Sequence, residues 1–115
     1  ANILLIEVSY DPLRFYYRVM GTAIAKMLGE DWTGKFVDEI EAANKNILQQ
    51  YIDVAESAEP SIYFNQYPKF DKLLGHNRML DYERLLMPLS DDDQTVHYLL
   101  GATILTPAEP PSTSG

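Results

Sequence analysis

The chain of 115 residues contains no cysteine. This absence excludes a disulfide framework, a thiolate nucleophile and a metal site built from thiolates. Basic residues are also scarce, with 9 lysines and arginines against 17 aspartates and glutamates and a formal net charge of −8. Such a chain repels phosphate backbones, and it has no basic run with interleaved aromatic residues. We therefore expect no nucleic acid as a partner.

Long hydrophobic runs are missing as well. No segment approaches the roughly 20 apolar residues that span a bilayer, and no charged segment followed by an apolar core opens the chain. We expect a soluble, cytoplasmic protein with no membrane partner. Because the chain begins at Ala1 rather than Met, we also expect that it was processed or cut from a longer protein.

What remains is an ordinary globular composition, with 46% hydrophobic and 23% charged residues. A chain of this length fits one compact domain, which we place at residues 1–105. Residues 106–115 (TPAEPPSTSG) are rich in proline and serine, which predicts a linker or a disordered tail.

Two segments near the N terminus predict a pair of strands. Residues 2–8 (NILLIEV) are apolar at both alternating sets of positions, and a turn signal follows them. Residues 14–20 (RFYYRVM) alternate, with Phe15, Tyr17 and Val19 on one side. We expect these two strands to pair as a hairpin.

The next segment predicts helices. Thr22 is a suitable N-cap for a short helix, and Gly29 can end that helix with a positive φ. Apolar residues then recur at helical spacing over residues 36–58, which predicts one long helix or a short helix followed by a long one. Pro60 ends it.

Three further extended segments lie at residues 61–67, 80–89 and 95–105. The polar stretch at residues 90–94 (SDDDQ) predicts a hairpin between the last two. The order of elements predicts an α+β domain, in which a five-stranded antiparallel sheet carries its helices on one face, between strands 2 and 3.

Two longer motifs carry a family resemblance: RFYYRVMGTAIAKMLGEDWTGK at residues 14–35 and YERLLMPLSDDDQTVHYLLG at residues 82–101. With the order of strands and helices, they resemble a PAS domain, and more narrowly the short single-domain PAS group of alphaproteobacteria. The resemblance implies a non-catalytic sensory module of signal transduction, whose sheet and helices enclose a pocket and whose signal passes through dimer contacts or flanking helices. PAS domains bind haem, flavins, small carboxylates or nothing, so the cofactor stays unknown.

Aromatic residues are numerous, and a buried tyrosine hydroxyl needs a hydrogen-bond partner. Apolar pockets with a few converging hydroxyls bind small ligands, although the same residues also suit plain core packing. The residues that we expect around a ligand pocket are Tyr17, Val19, Met27, Phe36, Ile40, Ile47, Tyr51, Tyr82 and Tyr98.

Several cofactors fit the chain poorly. The flavin photoadduct of light-sensing PAS domains and the thioester-linked chromophore of photoactive yellow proteins both need a cysteine. Haem would need His76 or His97 as its axial ligand, and both are expected at the surface or in a loop. The acidic stretch 91–93 lacks the remaining ligands of a calcium loop and is typical of a solvated turn.

Charged side chains in the strands predict ion pairs across a polar face of the sheet. The residues concerned are Glu7, Glu83, Arg84, Arg14 and Arg18. In the alternative hypothesis, Arg14, Arg18 or Arg78 binds a carboxylate ligand through its planar guanidinium.

The first strand is apolar toward both faces of the sheet, and helices can cover only one of them. We expect Leu99 and Met20 to add to an apolar outer surface. A partner subunit, as in a homodimer, or a flanking N-terminal helix would cover that surface.

Two other functions stay open. The chain could be a pure dimerisation or protein-interaction module, with a fully packed interior. It could also be a small isomerase of the α+β cone type, in which Asp38 or Asp53 near Tyr51 supplies the base and the tyrosine an oxyanion donor.

Overall fold

The computed structural model describes residues 2–40 and 45–105. Five strands form one antiparallel sheet in the spatial order β2-β1-β5-β4-β3, and the helices follow β2 and precede β3. The predicted α+β class and strand arrangement are thereby confirmed. The elements are β1 (Ile3–Ser9), β2 (Arg14–Met20), α1 (Thr22–Leu28), a 3-10 turn (Val37–Glu39), α2 (Lys45–Ser57), β3 (Ser61–Asp71), β4 (His76–Leu89) and β5 (Tyr98–Leu105).

The short helix ends as the sequence predicts, because Gly29 has φ 84° and its N–H donates to the carbonyl of Ala25. Its N-cap is Gly21 rather than Thr22, and no side chain caps it. The predicted long helix is a 3-10 turn followed by α2, and residues 41–44 between them lie outside the described residues, as does the tail 106–115.

The core lies between the helices and one face of the sheet, called the inner face here. Helix α2 contributes three buried apolar residues at helical spacing, Ile47, Tyr51 and Val54. They join one cluster with Leu4 and Ile6 of strand β1. The opposite, outer face carries no described helix.

A bulge in the β1–β2 pair reverses the expected alternation at the end of β2. Val19 pairs with Leu5 and Tyr17 pairs with Ile6, so Arg18 is an extra residue. Such an insertion shifts each later side chain to the other face. Val19 is consequently 48% exposed on the outer face and Met20 is buried, so the predicted orientations of both residues were wrong.

The orientation of β5 was also predicted wrongly. Leu99 and Thr103 are buried on the inner face, so Tyr98 points outward. Gly101 lies between them on the inner face, where an added Cβ would be 3.3 Å from Leu4 Cβ and 3.3 Å from Leu86 Cδ2. A glycine here allows β1 and β4 to approach β5 closely.

Strands β3 and β4 form a hairpin, and both are longer than the extended segments 61–67 and 80–89 that the sequence predicts. Asp71 starts its turn by accepting the backbone N–H groups of Leu73 and Leu74, and Gly75 has φ 73°. The predicted polar connection between β4 and β5 is confirmed: Asp92 Oδ1 accepts the backbone N–H groups of Gln94 and Thr95.

Candidate functional site

Two buried tyrosines meet at the centre of the domain. Tyr17 of β2 and Tyr51 of α2 are fully buried, and their hydroxyl oxygens are 2.9 Å apart. The ring of Trp32, which follows α1, lies 5.5 Å from that of Tyr17. Trp32 is itself buried and was not among the predicted pocket residues. Trp32 is the sole tryptophan of the chain and lies in a segment flanked by turns. These two features are a signal for a pocket residue that the prediction did not use.

Arg84 of β4 is the unexpected member of this site. Its side chain faces the helices and is only 2% exposed, so the prediction that it pairs on a polar face was wrong. Its Nη2 donates to the hydroxyl of Tyr82 at 3.4 Å. The guanidinium carbon lies 5.4 Å from the ring centre of Tyr82 and 5.8 Å from that of Tyr51.

Several polar atoms around Arg84 are unused. Arg84 Nε and Nη1 and Thr103 Oγ1 are buried and have no hydrogen-bond partner within residues 2–40 and 45–105. Thr103 and Arg84 are direct neighbours across the β4–β5 pair. Buried polar groups in folded proteins nearly always have partners. This cluster therefore has the capacity to form further hydrogen bonds.

Two tyrosines of the cluster, Tyr17 and Tyr51, are neutral. Burial raises the pKa of Tyr17 well above its ordinary value, and burial likewise raises the pKa of Tyr51. Among the described residues, no carboxylate lies within ion-pair distance of Arg84. The guanidinium is thus a positive charge surrounded by neutral hydroxyls and apolar side chains.

A cleft of about 710 Å³ opens beside this cluster, between the start of α2 and the β3–β4 hairpin. Tyr82 contributes to its wall and also contacts Arg84. Asn65, another wall residue, exchanges two amide hydrogen bonds with Gln50 of α2, at 2.7 and 3.2 Å. The residues that line the cleft are Asn46, Ile47, Phe64, Asn65, Gln66, Met79, Asp81, Tyr82 and Glu83.

Most of the predicted pocket residues lie on the inner side of the sheet. Met27 is half-buried and packs against the core. The others on this side are buried, and they are Tyr17, Ile40, Ile47, Tyr51 and Tyr82.

Val19, Phe36 and Tyr98 do not lie there. The segment that follows Trp32 runs beside β2, and Phe36 forms a bridge with the outward-facing Tyr16. Phe36 therefore points outward, with its ring 5.0 Å from that of Tyr16.

The other arginines that were considered as carboxylate ligands are engaged on the surface. Arg14 Nε lies 2.8 Å from Asp38, Arg18 Nε lies 3.7 Å from Glu7, and Arg78 Nε lies 3.1 Å from Asp71. The Arg18–Glu7 pair confirms the expected cross-strand ion pairing for these two residues.

The remaining candidates are exposed or half-buried. Asp38 and Asp53 are both exposed, and Asp53 accepts a hydrogen bond from Gln49. His76 is exposed, and His97 is half-buried beside Asp91. In the described part of the chain, no three metal-ligating side chains come together. No helix among these residues is long and apolar enough to cross a membrane.

Comparison with known proteins gives the fold. No protein-family profile and no curated protein sequence matches the chain. Three solved structures of LOV (light-oxygen-voltage) domains are similar, at 11 to 13% sequence identity.

One is a LOV domain described with a flavin analogue, with a TM-score of 0.59, covering 91% of this chain and 76% of its own. A second is the LOV domain of a blue-light activated histidine kinase from Erythrobacter litoralis, with a TM-score of 0.56, covering 90% and 94%. A variant of RsLOV has a TM-score of 0.62 and covers 96% and 61%. The chain therefore has the PAS fold, of which LOV domains are one form.

Proposed function

We propose that this chain is a non-catalytic sensory module of signal transduction that binds a small molecule at the inner face of its sheet. One observation carries the proposal. The cleft of about 710 Å³ has Tyr82 in its wall, and the hydroxyl of Tyr82 belongs to the buried polar cluster around Arg84. Clefts of this size with a few converging polar groups are typical small-molecule sites. The similarity to LOV domains supports a sensory role.

The chemistry of the site favours binding over catalysis. A general base of the cone-type isomerase kind has to be a carboxylate in a buried site beside the substrate. Asp38 and Asp53 are both exposed, and Asp38 is held in an ion pair with Arg14. Because the chain lacks cysteine, a ligand of the flavin type could bind without forming a cysteinyl adduct.

Native mass spectrometry of the purified chain tests this proposal. We expect the chain, or the chain mixed with a library of small metabolites, to retain a small molecule that is released on denaturation. Tyr82→Trp places a larger ring in the wall of the cleft and should reduce this retention. Tyr98→Trp makes the same change on the outer face and should leave retention unchanged. If nothing is retained from either source, the proposal is wrong.

A second role, dimerisation through the outer face, is favoured by a separate observation. Large apolar side chains are exposed there on all five strands, and Ile62 and Ile104 are 60% and 62% exposed. The residues of this outer patch are Ile3, Val19, Ile62, Met87 and Ile104.

We propose that a second copy of the chain covers this patch. The patch runs across most of the sheet, and two-fold dimers place the same surface of each subunit in contact. Sedimentation velocity over a range of concentrations tests this. We expect a dimer that Ile104→Glu converts to a monomer. Leu73→Glu makes the same change at the hairpin tip, where Leu73 is 97% exposed, and should leave the dimer intact. A wild-type monomer at all concentrations would contradict self-association and favour a flanking helix as the cover.

A further inference from the structure

Arg84 differs from the other arginines of the chain in its electrostatic surroundings. Arg14, Arg18 and Arg78 each lie within 4.0 Å of a carboxylate at the surface. Arg84 is buried, and the described residues place no carboxylate beside it. An unpaired charge in a protein interior is strongly unfavourable unless a partner of opposite charge compensates it.

The unused donors around Arg84 are of the kind that binds an oxyanion. The guanidinium is planar, and two of its three nitrogens, Nε and Nη1, have no acceptor among residues 2–40 and 45–105. Thr103, the cross-strand neighbour of Arg84, has a buried hydroxyl that is also unused. A carboxylate can accept two parallel hydrogen bonds from one edge of a guanidinium, either Nε with Nη2 or Nη1 with Nη2, and a third from a hydroxyl. Nη2 carries two N–H groups, so one of them is available beside the contact to Tyr82.

From this arrangement we infer that Arg84 binds the carboxylate of a small organic acid, with Thr103 as a further hydrogen-bond partner of that group. This inference rests on the proposed function and names the chemical class of its ligand. The acid lies with its carboxylate against Arg84 and the rest of its body toward the cleft, next to Ile47.

The charge balance favours a monocarboxylate over a phosphate group. Arg84 is the one cationic side chain buried in the described structure, and Tyr17 and Tyr51 are neutral phenols. A carboxylate carries one negative charge, which the guanidinium neutralises. A phosphate monoester carries nearly two at neutral pH and would leave one charge unpaired in the interior.

Tyr82 controls access to Arg84. Its ring lies in the wall of the cleft, and its hydroxyl contacts Arg84 Nη2 at 3.4 Å. The carboxylate reaches the guanidinium when this side chain turns aside. Because 3.4 Å is long for a hydrogen bond, the exchange of this contact for a charge-assisted one is favourable.

Isothermal titration calorimetry with acetate, butyrate and hexanoate tests the inference. Butyramide and hexanamide are the matched neutral probes, and inorganic phosphate is the matched alternative anion. We expect the wild-type chain to bind hexanoate, and to bind hexanamide and phosphate about tenfold or more weakly, because hydrogen bonds to a charged group are the strong ones. Arg84→Met should abolish hexanoate binding, and Arg18→Met, which removes an exposed arginine of β2, should not change it.

Two further variants cover the case in which Arg84→Met fails to fold. Arg84→Lys keeps the charge but loses the planar fork, so it should bind hexanoate about tenfold more weakly. Thr103→Val removes the unused hydroxyl at nearly constant volume. It should raise the melting temperature of the chain without ligand and reduce the further rise that hexanoate produces.

The outcomes separate the inference from the proposed function. If native mass spectrometry finds a retained small molecule, but Arg84→Lys and Thr103→Val bind hexanoate like the wild type or hexanamide binds equally well, the sensory proposal stands and the inference is overturned. If neither carboxylates nor any other small molecule binds, both are overturned.

A carboxylate of the chain itself is the remaining competitor for Arg84. Glu41 lies in the segment 41–44, outside the described residues. We expect Glu41→Gln to leave hexanoate binding unchanged. If Glu41→Gln and Arg84→Met instead have strongly non-additive effects on the melting temperature and hexanoate has no effect on the wild type, Arg84 is paired within the chain and the inference is overturned.

Discussion

Tyr17 and Tyr51 join the second strand to the long helix through a hydrogen bond of 2.9 Å between their hydroxyl oxygens. Both rings are fully buried, and they meet edge to face with centroids 6.2 Å apart. This contact fixes the helix over the inner face, beside the guanidinium of Arg84. The position of the proposed site therefore depends on a pair of residues 34 positions apart in sequence.

A double-mutant cycle measures the strength of that contact. Tyr17→Phe and Tyr51→Phe should each lower the free energy of unfolding by about 1 to 2 kcal/mol, because each leaves one buried hydroxyl without its partner. The double variant should lose less than the sum of the two. Urea denaturation provides the measurement, and Tyr16→Phe on the outer face is the control. Additive effects would show that the hydroxyls do not interact.

The same pair predicts a loss of stability in alkali. Burial raises the pKa of both phenols, whereas in the unfolded chain they ionise near pH 10. The folded state thus holds protons that the unfolded state releases. The contribution of the two phenols to the free energy of unfolding is therefore complete below about pH 10 and falls as the pH rises. Denaturation at pH 8 and pH 11 should show a smaller fall for the Tyr17→Phe/Tyr51→Phe variant than for the wild type. Equal losses of stability in the variant and the wild type would contradict the raised pKa of the two buried tyrosines.

The bulge at Arg18 gives a test of side-chain orientation. Val19 is 48% exposed and Met20 is 7% exposed. In the Ile104→Glu background, in which the proposed dimer contact is removed, Val19→Lys should change the free energy of unfolding by less than about 0.5 kcal/mol. Met20→Lys buries an unpaired charge and should lower it by about 3 kcal/mol or more. Thermal denaturation compares the two substitutions. A larger loss of stability for Val19→Lys than for Met20→Lys would contradict a bulge at Arg18.

Gly101 tests how closely the three middle strands approach one another. Gly101→Val would place methyl groups against Leu4 and Leu86, whose atoms already lie 3.3 Å from an added Cβ. Overpacking of this kind should lower the free energy of unfolding by about 1 to 3 kcal/mol. Ala102→Val, the neighbour that points to the outer face, should have a much smaller effect. Equal effects of the two substitutions would contradict the close approach.

The order of elements along the chain and two hairpins, β1 with β2 and β4 with β5, could be predicted because local signals agree with the global fold. Helical spacing placed Ile47, Tyr51 and Val54 on one face of α2, and all three are buried. The polar stretch at residues 90–94 specified the last hairpin. These signals depend on periodicity and turn chemistry, which act over a few residues.

The side-chain orientations in two strands could not be predicted in the same way. The bulge at Arg18 has no marker in the sequence, since residues 14–20 alternate regularly. Strand β5 (Tyr98–Leu105) is apolar at both alternating sets of positions, so its pattern fits either face. Tertiary pairing decides both cases.

The orientation of Arg84 was also predicted wrongly, although the strand pattern indicates it. It shares its parity with Tyr82 and Leu86, and both of these are buried. The prediction gave more weight to its charge, on the general rule that charged residues are almost never fully buried. A charged residue that breaks this rule is where a functional site is expected.

The Nε–H group of Arg84 tests the central claim most directly. In 15N–1H correlation spectra of the wild-type chain, assigned with Arg84→Lys, this proton should exchange with water far more slowly than that of the exposed Arg18. Its resonance should shift when hexanoate is added and stay in place when hexanamide is added. An Arg84 Nε–H that exchanges as fast as that of Arg18, and that does not respond to hexanoate, would contradict the account.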